Sequence, residues 1–460
     1  MTELETESER HCSNILKTRF SLIGVEYPVL VPREDYMPPF SIEFSFRLVI
    51  APGNLPFGRN MAEVLQNPVL ASVLAAQPTK SRAASVYARA VLAGGTSICL
   101  GILWDISWHR TIGRDTFWTP AHMAIYFGGL LGGLTCGWLV IRTTFFGTPA
   151  EKAAAVRLWG FRGPLGAWVT IWGSFAMLTS APFDNWWHDA YGLDVKILSP
   201  PHTVLALGMF ATVLGALLLI LREQNLAPPG EAASGQRLFI YAAGVLVVMA
   251  SVFLIEHSWP NQHRTRTFYQ MSAATFPLYL LAFGRASKFR WGATWIALVY
   301  MSIVAAMAWI LPLFPGQPRL GPIYNPVKYF VPLPFPLLLV VPAIAIDLAR
   351  RWIGQGRGGW RDWLLVLCSG VGFLVLFLAA QWYFSAFLIS PSAENWFFAT
   401  AHHWGYQENL GEWRYKFWSA TASRWNPPLT WNSFLVALLL AVAAARVGLW
   451  LGNGLSKVRR

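Results

Sequence analysis

Charge is scarce in this chain. Asp, Glu, Lys and Arg make up 13% of 460 residues, while 55% are hydrophobic. Soluble globular domains carry roughly 25% charged residues. The scarcity excludes an ordinary soluble enzyme of two or three domains, which the length alone would allow. Cysteine is nearly as scarce. Cys12, Cys99, Cys136 and Cys368 lie far apart and form no CxxC pair, which excludes a disulfide framework. The opening residues, MTELETESER, are acidic and polar and lack the apolar core of a signal peptide. Residues 1–60 mix Pro, charged and β-forming residues without a period and suggest no fold. One reading makes Met61 the start and the stretch before it a gene-model artefact. His11, within that stretch, receives no role.

What the chain has in abundance is apolar runs and aromatic rings, with Trp 24 and Phe 30, as expected where rings sit at membrane interfaces. A spanning helix needs about 20 predominantly apolar residues. Ten stretches qualify: roughly 87–107, 120–141, 164–183, 201–221, 237–256, 267–284, 291–312, 329–348, 363–386 and 432–451. The expected fold is therefore all-α, a polytopic membrane helix bundle. The net charge of +13 does not imply nucleic acid, because the basic residues sit in short loops between the runs. Lys80, Arg82 and Arg89, then Arg142, Lys152, Arg157 and Arg162, then Arg222 and Arg237 all fall on one side. So do Arg285, Lys288 and Arg290, then Arg350, Arg351, Arg357 and Arg361, and finally Lys457, Arg459 and Arg460. By the positive-inside rule that side is cytoplasmic. His109, His188, His257, His263, His402 and His403 then share the extracytoplasmic face.

The first four runs contain an internal repeat. Residues 105–122 read DISWHRTIGRDTFWTPAH, and residues 184–202 read DNWWHDAYGLDVKILSPPH. Each has Asp-x-x-Trp-His, a short loop with Gly and Asp, and a Pro just before a second His. Asp and His four apart share one face of a helix. Thr119 with Pro120, and Ser199 with Pro200, have the character of an N-cap and a first helical residue. The loop returns the chain to the same depth, so one carboxylate and two imidazoles converge: Asp105, His109 and His122, and again Asp184, His188 and His202. Imidazole plus carboxylate suits Cu(II), Zn(II) or Fe(II), and three protein ligands leave a position open. Ionisable groups at membrane depth are functional suspects by default. The rival reading is a charged hydrogen-bond network that locks the hairpins together.

Asp105, Trp108, His109, Arg114, Asp115, Thr116, Thr119, Pro120 and His122 together resemble the signature of the C subunit of copper membrane monooxygenases. That family includes particulate methane monooxygenase and ammonia monooxygenase. The resemblance covers about residues 88–222, and the second cluster matches only in spacing and residue type. It implies copper at Asp105, His109 and His122, with a neighbouring site at Asp184, His188 and His202. It also implies dioxygen-dependent oxidation of a small substrate, other membrane monooxygenase-like subunits as partners, and a bacterial inner (cytoplasmic) membrane with the metal-site loops outside. The methane-oxidising members have Asn where this chain has Asp184. No cupredoxin-like stretch occurs here, and the later runs have no counterpart in the family.

The chain thus divides into an N-terminal extension (1–86), a metal-binding four-helix region (87–222), an additional five-helix region (223–386), and an aromatic loop with a final span (387–460). A degenerate third copy of the repeat, residues 256–270, offers Glu256, His257 and His263 as a third site or proton relay, against a role as interface anchors. His402 and His403 lie in the aromatic loop and suggest a surface role. Arg114, Asp115, Asp189 and Asp194 are candidates to orient ligands. Trp104, Trp108, Trp186, Trp187 and Tyr191 form either a substrate cavity or an interface belt. Two further functions compete with an oxidoreductase. One is copper handling or transport, against which all 10 Met are scattered, unlike the Met- and Cys-rich stretches that soft Cu(I) transport favours. The other is a structural scaffold without catalysis.

Overall fold

The structure is a computed structural model. It describes residues 15–22, 25–32, 82–114, 116–191, 199–226, 233–354, 358–409, 411–418 and 427–459. The chain forms two compact units, Met1–Gln77 and Pro78–Arg460. In the first, β1 (Ile15–Leu22) pairs antiparallel with β2 (Val25–Pro32), Ile15 opposite Pro32 and Leu22 opposite Val25. The sequence showed no period there.

The second unit is a helix bundle. Its long helices are α1 (Arg82–Thr111), α2 (Pro120–Phe146), α3 (Leu165–Tyr191), α4 (Pro200–Leu226) and α5 (Ala233–Val252), followed by α6 (Arg266–Ala286), α7 (Gly292–Ile310), α8 (Val340–Ile353), α9 (Trp360–Leu388) and α10 (Trp431–Leu455). A small hairpin, β3 (Val156–Leu158) with β4 (Phe161–Gly163), joins α2 to α3. Among the described residues, 7 helices are long and apolar enough to cross a membrane: α1, α2, α4, α5, α7, α9 and α10. Phe127, Leu130, Leu134, Trp138 and Ile141 form an exposed apolar stripe down α2. Such a stripe suits lipid and would be a liability in water. The chain is a helical membrane protein.

The eighth expected span, 329–348, is not a continuous helix. Residues 330–339 are mostly buried but lack helical structure, and α8 begins only at Val340. Pro332, Pro334 and Pro336 explain the break, since each lacks an N–H and its ring clashes with a preceding helical turn. The same prolines lower the cost of burying non-helical backbone by removing donors. The Val331 N–H donates to Thr111 Oγ1 at 2.8 Å and the Leu338 N–H to Gln381 Oε1 at 3.2 Å. At 1.5 Å per residue, the 14 residues of α8 span about 21 Å, short of a bilayer core of about 30 Å.

Small residues bring the first four helices together in pairs. A Cβ on Gly94 would lie 2.7 Å from the Gly128 carbonyl oxygen, and one on Gly173 would lie 2.7 Å from that of Gly208. So α1 packs backbone to backbone on α2, as α3 does on α4. Gly94 to Gly173 is the same offset as Asp105 to Asp184 and His109 to His188, 79 residues. Gly128 to Gly208 matches His122 to His202, 80 residues. Phe268, Tyr269, Phe276, Phe373 and Phe377, all fully buried, fill the core between α6 and α9.

Candidate metal centre

The first cluster is built where α1 ends and α2 begins. Asp105 and His109 occupy one face of the last turns of α1. The helix stops at Gly113, whose φ of +80° is open to glycine at little cost. Pro120 then starts α2 at a position that needs no N–H, which sets His122 in the first turn. His122 Nε2 lies 3.2 Å from Asp105 Oδ1, and His109 Nε2 lies 3.8 Å from Asp105 Oδ2. One ligand atom from each of the three falls within 4.8 Å of the others. The His109 side chain is 48% exposed and that of Asp105 15%, so the site is open on one side.

His122 Nδ1 lies 2.9 Å from the Thr116 carbonyl oxygen. A carbonyl only accepts, so Nδ1 carries the hydrogen and fixes the ring. Nε2 is thereby turned to the carboxylate, in the arrangement that metal-bound histidines show. Asp105 Oδ1, buried, has no hydrogen-bond partner. His122 Nε2 is its near neighbour at 3.2 Å; a proton on that ring would make the contact an ion pair, and a cation shared with the two imidazoles would serve the carboxylate equally. The donor set therefore fits a metal ion. The orienting group is the Thr116 backbone, which residue type does not reveal. Thr119 is the N-cap residue of α2, but its hydroxyl caps no helix amide; it accepts from the Thr116 N–H at 2.9 Å and so steadies the orienting carbonyl.

The second cluster repeats the first more loosely. His188 Nε2 and His202 Nε2 each lie 3.5 Å from Asp184 Oδ1, which is again buried without a hydrogen-bond partner. Among the described residues, the first cluster alone has all three ligand atoms within 4.8 Å of one another. Ser199 caps α4 weakly, accepting from the His202 N–H at 3.5 Å. Tyr126, one turn beyond His122 on α2, packs on Phe117 with ring centroids 5.1 Å apart.

The remaining candidates fall elsewhere. Glu256, His257 and His263 do not gather into a ligand group. His257 Nδ1 pairs with Gln262 Oε1 at 3.2 Å. His263 is wholly buried between the Ser258 carbonyl, at 2.8 Å, and the Gln381 amide, at 3.1 Å, and burial pushes its pKa down to about 4. His402 is exposed, as expected, but His403 is not a surface residue. It is buried, held by the Thr400 carbonyl at 2.6 Å and stacked on Trp259, and burial pushes its pKa down to about 4 as well. Arg114 offers its carbonyl to Trp108 Nε1 at 3.1 Å. Asp189 meets Asn185, at 3.4 Å, rather than a ligand. Asp115, Asp194 and His11 lie outside the described residues. Trp186 and Tyr191 are exposed and Trp187 packs on Tyr191 with ring centroids 4.4 Å apart, while Trp108 packs on Phe330 at 5.8 Å.

No known protein family, curated protein or solved structure matches this chain. Its chemistry therefore rests on the two clusters themselves.

Proposed function

We propose that this chain is a copper-binding integral membrane protein that works as, or within, a dioxygen-dependent oxidoreductase acting on a small substrate. The observation that carries the reading is the convergence of Asp105, His109 and His122, one ligand atom of each within 4.8 Å of the others, around a His122 ring that Thr116 has already oriented. Asp105, His109 and His122 would hold the ion, and Asp184, His188 and His202 a second one. The donor set alone would also suit zinc or iron; the resemblance of residues 105–122 to the monooxygenase C subunit favours copper. Bound there, copper would supply one-electron chemistry toward dioxygen. The residues supply orientation: Thr116 sets the His122 ring, and the exposed side of His109 leaves a way in.

The same reading makes α3 and α6 crossings in addition to the 7 apolar helices, and makes residues 330–339 with α8 a broken crossing. Ten crossings put the basic loops on the cytoplasmic side of a bacterial inner membrane and both clusters outside. Partners would be the bilayer and other monooxygenase-like subunits.

Metal content of the purified protein, measured by mass spectrometry, tests the proposal. Wild type should carry stoichiometric copper, and His109→Ala/His122→Ala should lose most of it. Equal trace copper in both would refute the assignment.

A further inference from the structure

The terminal turn of α1 carries His109, yet much of what holds that turn comes from the far half of the chain. The last four carbonyls of a helix have no partner within it. Here the Arg110 carbonyl accepts from the Tyr406 N–H at 3.1 Å, and the Ile112 carbonyl, just past the helix, from the Arg319 N–H at 2.9 Å. Ser107 Oγ donates to the Val331 carbonyl at 2.6 Å, and Thr111 Oγ1 accepts from the Val331 N–H at 2.8 Å. The Arg110 guanidinium donates to Glu408 Oε2 and to the His403 carbonyl, both at 2.9 Å. It also lies 3.7 Å from the ring centre of Trp259. Tyr406 in turn accepts from the Tyr324 and Asn325 N–H groups at 2.9 Å each, so the two loops brace one another.

Helical geometry shows what this grip does. At 100° per residue, Ser107 and Thr111 face away from Asp105 and His109. The loops therefore hold the back and tip of α1 and leave its ligand face clear. The fit is close: a Cβ on Gly316 would meet Thr111 Cγ2 at 2.6 Å, and one on Gly405 would meet the Arg110 carbonyl oxygen at 3.2 Å.

We infer that residues 316–331 and 403–408 form a built-in clamp that positions His109, with the Arg110–Glu408 pair as its lock. Arg110 and Glu408 are positioning residues, acting on the metal through the helix end and not as ligands. The clamp lies in the part of the chain that has no counterpart in the monooxygenase C subunit. The inference rests on the metal reading above and adds to it a dependence of metal binding on residues far from the ligands.

The test uses full-length protein in detergent and Cu(II) alone. Glu408→Ala should weaken Cu(II) binding roughly tenfold or more, the scale seen when a ligand's orienting partner is lost. It should also change the copper electron-paramagnetic-resonance spectrum and speed amide exchange across residues 107–113. Asp347→Asn serves as the control for general destabilisation, since it breaks the buried Asp347–Arg350 pair on α8. It should lower thermal stability but leave the copper affinity and spectrum unchanged. The inference is overturned if Glu408→Ala binds copper with the wild-type affinity and spectrum, or if Asp347→Asn weakens copper as much as Glu408→Ala does. Wild type that takes up no Cu(II) overturns the metal reading itself, and the clamp's role with it.

Discussion

His263 and His403 show what burial does to a single side chain. Each imidazole is nearly sealed from water, and each has its pKa pushed down to about 4 by desolvation, against about 6.5 in an unfolded chain. Between these values the unfolded state binds protons that the folded state excludes. Stability is therefore fully present above about pH 6.5 and falls as pH drops toward 4. Each residue can contribute up to about 3 kcal/mol of that loss. Thermal unfolding in detergent should show melting temperatures that decline across this window, and His403→Gln should flatten the decline. An unchanged slope would mean that His403 is accessible to protons in the folded protein. At this scale the sequence was a partial guide. Asp105, His109 and His122 were legible because helical spacing and a returning loop are local. The Thr116 carbonyl was not, because backbone chemistry is the same for every residue type. The burial of His403 was hidden because Trp259, which stacks on it, is distant in sequence.

Among the elements, helix pairs and a broken span carry the lesson. The repeated Asp and His positions were visible, but the glycines at matching offsets gained meaning only when Gly94 was found against Gly128 and Gly173 against Gly208. Gly94→Ala and Gly173→Ala should each destabilise the protein by about 1–3 kcal/mol through overpacking. Gly137, with nothing within 4 Å of its Cβ position, should accept Ala without loss. Thermal unfolding of the three variants separates close helix approach from mere helix propensity; similar effects at all three sites would refute close packing. At 329–348 the expected helix gives way to non-helical backbone for a definite reason. Hydropathy counts apolar side chains, and Val331, Leu333, Phe335 and Leu337 satisfy it. The alternating prolines between them govern the backbone, and hydropathy does not register φ.

For the whole molecule, apolar length was enough to show a helical membrane protein, because the bilayer imposes it. The grip on α1 was not legible at all, since its parts are joined only by the fold. Topology gives a further prediction. Alkaline phosphatase fused after residue 114 or 316 should be active outside the cytoplasm, and fusions after residue 226 or 354 should be silent. Matching activity at 316 and 354 would show that the proline-rich stretch and α8 do not cross. The distance between Arg110 and Glu408, 298 residues along the chain, also sets a clock. At roughly 5–20 residues per second of synthesis, about 15–60 seconds pass between the appearance of the first partner and the second. For nearly all of that interval Asp105, His109 and His122 have been made, while Arg110 still waits for Glu408. A nascent chain stalled before residue 403 would carry all three candidate ligands on a helix held by residues 316–331 alone.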